Sequence, residues 1–209
     1  MLTEDGIGVK KKVWKPPPSW SRLRRKTLAI VYHWGASKNP AMTTQQGMYE
    51  YLERNKKTKA YHAIVHDEIW QCLHWDMSAG ALGLNNLEDY PESTRRLFKN
   101  QWPDLMTINI LMMEDDTDGR YGILAVNNGM MLGSYLCQRY QLTPTEDVLR
   151  HSDVTGKGTR PETHPLYKPD ELPCPRFYVE NPQSWEIFRL RMHEVLCMDG
   201  DGRWDAGNR

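Results

Sequence analysis

Residues 150–177 read RHSDVTGKGTRPETHPLYKPDELPCPRF, and the two ends of this stretch hold the most reactive side chains of the chain. His151 is a candidate metal ligand, Lys157 a fixed cation and Cys174 a thiolate donor. Upstream, residues 147–150 predict a short strand that delivers His151. Downstream, Asn181-Pro182 predicts a helix start, with an N-cap asparagine and proline in the first turn. Trp185, Phe188, Met192, Val195 and Leu196 then fall at helical spacing and read as packing surface.

Further out, residues 27–34 (TLAIVYHW) form an apolar, β-branched run of the kind expected for a strand buried on both faces. It ends in His33 before Gly35-Ala36-Ser37, so the imidazole sits where a rigid strand opens into a loop. Such a histidine is either a metal ligand or a hydrogen-bonded structural residue. A helix capped by Thr43 or Thr44 follows, with Met48, Tyr51 and Leu52 on one face and Lys56, Lys57 and Lys59 at its end. Residues 60–66 and 68–74 predict a hairpin turning near His66-Asp67. Tyr61 lies at its start and, by itself, reads as an aromatic packed on the sheet. A surface helix around 92–99, an apolar strand at 106–113 (MTINILMM) and a long helix at 123–140 complete the pattern.

The 209 residues suit one α/β domain, and 27 basic against 27 acidic residues leave no global charge that demands nucleic acid or a membrane. No apolar run approaches a membrane span, and MLTEDGIGVKKK has no signal-peptide core. Cys72, Cys137, Cys174 and Cys197 are widely spaced and predict reduced thiols for at least three of them. Residues 1–26 predict a basic arm in which Trp14 and Trp20 flank a Pro16-Pro17-Pro18 run. That arm suits contact with nucleic acid or anionic wall polymers, or else packs its tryptophans on the domain. The acidic turns at 114–119 and 199–202 miss the ligand order of a calcium loop.

The segments Arg-His-x-Asp-Val-Thr-Gly-Lys (150–157) and Cys174-Pro175-Arg176 resemble the closing half of the zinc site in type 2 N-acetylmuramoyl-L-alanine amidases. Those enzymes are related to phage endolysins and peptidoglycan-recognition proteins. The run ending in His33 resembles the family's Ile-Val-x-His strand, Tyr61-His62 its Tyr-His pair and residues 106–111 its Thr-Ile-x-Ile-Glu strand. The resemblance runs from about residue 27 to 196. It implies a single α/β domain, a mixed central β-sheet flanked by helices, with the site at the bottom of a groove. It also implies Zn²⁺ held by His33, His151 and Cys174, with Tyr61 orienting water or carbonyl and Lys157 stabilising the oxyanion. The implied reaction cleaves the amide between N-acetylmuramic acid and L-alanine of bacterial peptidoglycan. The implied setting is an endolysin kept in the host cytoplasm until holin-type release, monomeric, with neither nucleic acid nor membrane insertion expected. The domain would span 27–198, followed by a flexible tail at 199–209.

The sequence also departs from that family. About fifteen residues, 158–173, separate two segments that are usually almost contiguous there. Thr159 occupies the usual cysteine position, and His164 within the insertion is a reserve ligand. Ser78-Ala79-Gly80-Ala81-Leu82-Gly83 stands where the family shows Trp-His-Ala-Gly, and Leu111 stands where it shows a general-base glutamate. Some short phage amidases lack that carboxylate and rely on the tyrosine and a lysine. The alternative expectation is a peptidoglycan-binding module that kept the fold and lost the chemistry. His62, His66, His74 and His193 read as structural or surface residues.

Overall fold

A computed structural model describes residues 1–14, 26–35, 42–55, 60–115 and 120–198. The proline run with the basic segment through Arg25, the loop at 36–41, the lysine cluster at 56–59, the acidic turn at 116–119 and the tail from 199 lie outside the described residues. The strands are β1 (Val9–Lys11), β2 (Ala29–Trp34), β3 (Ala63–Val65), β4 (Ile69–Gln71), β5 (Thr107–Met112) and β6 (Val148–Arg150). They form one mixed sheet in the order β1-β4-β3-β5-β2-β6, in which the β3–β4 hairpin is antiparallel and the other pairs are parallel. The helices are α1 (Gln45–Asn55), α2 (Glu92–Leu97), α3 (Ile123–Tyr140), α4 (Pro144–Asp147), α5 (His151–Thr155), α6 (Arg176–Glu180) and α7 (Pro182–Cys197). The mixed sheet flanked by helices is the architecture that the family resemblance implied.

The two most apolar runs, β2 and β5, sit side by side inside the sheet, where both faces are covered. Strand alternation divides their side chains. Ile30, Tyr32, Ile108, Ile110 and Met112 join Leu132, Leu136, Trp185, Phe188 and Met192 in the core beneath α3 and α7. The Tyr32 hydroxyl donates to the Gly129 carbonyl at 2.7 Å. A Cβ on Gly133 would lie 2.5 Å from that hydroxyl and 2.7 Å from the Met192 methyl, so α3 packs this closely only because glycine stands there. On the opposite face, Ala29 and Val31 pack with Tyr90, Phe98, Met106 and Val154. Leu111 packs there with Trp14, Met48, Leu52, Tyr61 and Ile64 under α1.

The first fourteen residues pack on the domain, one of the two arrangements expected of the arm for Trp14, but they also supply a strand that was not expected. Val9–Lys11 pair with β4 as the edge strand, and Trp14 is only 2% exposed. The Trp75 indole and the Tyr135 hydroxyl both donate to the Glu4 carboxylate, at 2.8 and 3.0 Å, and these bonds with Lys11 hold its pKa below the usual value although burial acts the other way. Lysines on a short edge strand discourage further strand addition, and that same composition hides the strand from a hydropathy reading. Thr44 caps α1 as expected, accepting from the Gly47 N–H at 3.1 Å. Asn181 differs: its side chain makes no cap and donates to the Phe177 carbonyl, so proline alone marks the start of α7. Among the described residues, no helix is long and apolar enough to cross a membrane.

Candidate metal centre

β2 and β6 are parallel neighbours, with Tyr32 level with Arg150. His33 is the next residue of β2 and His151, the first residue of α5, directly follows β6, so both emerge together at the carboxyl end of the sheet, where open α/β folds build their sites. Their ring centroids are 4.5 Å apart. Cys174 arrives from beyond the insertion, and its backbone is clamped beside His151. Ser152 N–H and Oγ donate to the Cys174 carbonyl at 2.7 and 2.8 Å, and Cys174 N–H returns a bond to Ser152 Oγ at 2.8 Å. One ligand atom from each of His33, His151 and Cys174 lies within 4.8 Å of the others, and all three residues are buried.

Neighbouring groups set the chemistry of these atoms. His33 Nε2 donates to Asn109 Oδ1 at 2.8 Å, and Asn109 Nδ2 in turn donates to Thr107 Oγ1 at 3.1 Å, which fixes the amide's orientation. His151 Nε2 donates to the Leu82 carbonyl at 3.0 Å. These acceptors place a proton on Nε2 of each ring, which leaves Nδ1 as the nitrogen that would face a metal once the ring is neutral. The Trp34 N–H donates to Cys174 Sγ at 3.3 Å, which favours the thiolate. Two imidazole nitrogens and a thiolate are a normal three-ligand set for catalytic zinc, with a fourth position for water. Tetrahedral zinc needs ligand atoms about 3.3–3.8 Å apart, within a short inward movement of this arrangement. The donor set fits zinc.

Tyr61 stands edge-on to His33 with ring centroids 5.0 Å apart. Burial, then Cys174 and Asp104 nearby, push its pKa far up, so it stays a protonated phenol. Lys157 is half-buried and lines both clefts that border the triad, one of about 460 Å³ against His151 and one of about 590 Å³ against Cys174. His164 does not join the triad; its Nδ1 accepts the Leu166 N–H. Thr159 is exposed, and its hydroxyl donates to the Gly156 carbonyl. Leu111, 2% exposed, lies directly across from His33 in the β2–β5 register. His62 is structural as expected, bonding the Met77 carbonyl and the Asn109 N–H.

The insertion folds back on itself. Gly158, at φ +68°, lies so close to Pro173 that a Cβ would come within 2.3 Å of the proline nitrogen. Arg160, nearly buried, pairs with Glu171 at 3.3 Å and donates to the Thr155 and Leu166 carbonyls. Residues 158–173 thus form a closed surface loop whose ends meet. Two other polar residues escaped the sequence reading. Asn109 is the one amide in a strand of apolar residues, a signal because a buried amide requires partners. Asp104 is buried, and its Oδ1 accepts the Ala81 and Leu82 N–H groups at 3.0 and 3.3 Å, bracing the segment that holds His151.

No protein-family model matches the chain, and no curated protein matches it in sequence. Solved structures do match. PlyL is 21% identical with a TM-score of 0.60, over 88% of this chain and 96% of PlyL. A mutant endolysin from Bacillus subtilis is 20% identical with a TM-score of 0.58, over 87% of this chain and 99% of the endolysin. The Staphylococcus aureus hydrolase AmiA, solved with its ligand, is 16% identical with a TM-score of 0.58, over 88% of this chain and 81% of AmiA. The chain has the fold of these lytic and hydrolytic domains, the fold implied by its resemblance to the type 2 amidases.

Proposed function

We propose that this chain is a type 2 N-acetylmuramoyl-L-alanine amidase, a zinc-dependent hydrolase of bacterial peptidoglycan in the manner of a phage endolysin. The observation that carries this reading is the convergence of His33, His151 and Cys174 within 4.8 Å, across an insertion that separates the last two in sequence. The fold shared with an endolysin and a hydrolase supports it.

His33 and His151 would hold the metal through Nδ1, their rings steered by Asn109 and the Leu82 carbonyl. Cys174 would be the third ligand, its sulfur supported by the Trp34 N–H. Bound zinc supplies a Lewis acid and lowers the pKa of water towards neutrality. Tyr61, a permanent donor in its buried setting, orients the attacking water or the scissile carbonyl. Lys157 offers a cation to the developing oxyanion, worth about 3 kcal/mol for one well-aimed donor. Leu111 has no group to take a proton, so Tyr61 and Lys157 carry the polar work that the family's glutamate shares elsewhere. In the proposed setting the protein is a monomer, stays in the host cytoplasm, and reaches the wall through a holin-type pore.

Leu111 opposite His33 favours a second reading, a peptidoglycan-binding module without catalysis. Elemental analysis of the wild type and Cys174→Ser, with turbidity loss of purified walls, separates the two. About one zinc per chain, lost together with lysis in the variant, supports the amidase. Walls bound without zinc or lysis would leave recognition alone.

A further inference from the structure

The two clefts beside the triad share Lys157, Lys168 and Glu171. Of the charges lining them, Arg160 and Glu171 satisfy each other, and Glu171 also accepts the Gly158 N–H. Lys157 and Lys168 pair with no carboxylate among the described residues. Lys157 is the last residue before the insertion, and Lys168 is exposed on the insertion itself. Lys168 is not loosely presented: its carbonyl accepts the Glu171 N–H in one of a series of turns, after Pro161–His164 and His164–Tyr167. The closed base and the Arg160–Glu171 pair brace that wall beside the triad. An exposed ammonium on a braced loop, beside a second half-buried ammonium and two open clefts, is a seat for an anion.

We propose that Lys168 forms a carboxylate seat in the groove wall, with the nearby positive charge of Lys157 adding to its field. The 158–173 loop would then select substrates with a free carboxylate on the peptide side of the scissile amide over the corresponding carboxamide. This rests on the amidase reading for the identity of the peptide, while the seat itself rests on the two lysines. Two point charges suit a single carboxylate better than the forked recognition that arginine gives. The acids Asp89 and Asp170 line one cleft each and offset part of the positive charge, which keeps the expected preference modest.

The test uses the full chain and two synthetic peptides that lack the scissile amide, L-alanyl-D-γ-glutamyl-L-alaninamide, whose one free carboxylate is on the glutamyl residue, and its α-carboxamide counterpart, titrated calorimetrically at low and high salt. The wild type is expected to prefer the acid by about two- to fivefold, a preference that shrinks with salt. Lys168→Ala should abolish the preference and Lys168→Glu reverse it, with unchanged circular dichroism because the side chain is exposed. Lys10→Ala, on the far edge strand, should change nothing. An equal affinity of the wild type for both ligands, or a preference that survives Lys168→Ala, overturns the proposal. Failure to lyse walls with the preference intact would retire the amidase reading and leave the seat standing.

Discussion

Asp104 offers a stability measurement whose sign and size follow from its surroundings. The carboxyl is 8% exposed, and burial raises its pKa to about 7, against the opposing pull of the Leu82 and Ala81 hydrogen bonds. In the unfolded chain it returns towards its ordinary value of 3.8. Between these values the folded protein keeps a proton that the unfolded chain releases, so stability declines as pH rises. The contribution is fully present below about pH 4 and is lost through pH 7. At 1.36 kcal/mol per pH unit, the separation amounts to roughly 4 kcal/mol. Asp104→Asn keeps an acceptor oxygen for the two N–H groups and never ionises. The variant should therefore match or trail the wild type at pH 4.5 and exceed it by a few kcal/mol at pH 8. The assay is urea unfolding of both proteins across that range with a chelator present, read as the difference between them so that other titrations cancel. A difference that stays flat with pH, or a wild type that gains on the variant at high pH, would refute the reasoning. The ionised carboxylate would then be stabilised in place by the two N–H groups.

Three further substitutions probe how the site is held. Asn109→Ala removes the acceptor that orients His33 and should weaken zinc binding about 10- to 100-fold in a competition titration with a chromophoric chelator; unchanged affinity would mean the ring is fixed by packing alone. Gly158→Ala strains a backbone at φ +68° and drives a methyl into Pro173, so zinc affinity and thermal stability should fall together as Cys174 shifts. A variant with both unaltered would show that the loop base adjusts freely. Trp14→Ala should cost about 3–5 kcal/mol in chemical denaturation, because the indole is buried in the cluster with Leu52 and Tyr61; a loss under about 1 kcal/mol would return this segment to the status of an arm.

The central strands, the long helices and the three candidate ligands were legible because each rests on a strong local pattern. Residues 27–34 and 106–113 are too apolar and β-branched to be anything but buried strands, and a histidine closing the first is conspicuous. Chain order cannot reveal that β6 lies beside β2, yet that adjacency joins His33 to His151. The edge strand at Val9–Lys11 was hidden by its own lysines, which suit an edge and defeat a hydropathy pattern. Asn109 and Asp104 were illegible for a related reason. A polar residue in or beside an apolar run announces that it needs partners, but those partners come from β2 and from the 81–82 segment, distant in sequence.

The meeting of Gly158 with Pro173 makes the path length from His151 to Cys174 irrelevant to their separation in space. The entropy of closing a flexible loop grows by only about 0.6 kcal/mol for each doubling of its length. A lineage can therefore lengthen, trim or exchange this segment while the reactive centre stays as it is. The loop and the candidate metal centre become separately heritable, and the loop's base is a natural graft point for an engineer who wants to change one without disturbing the other.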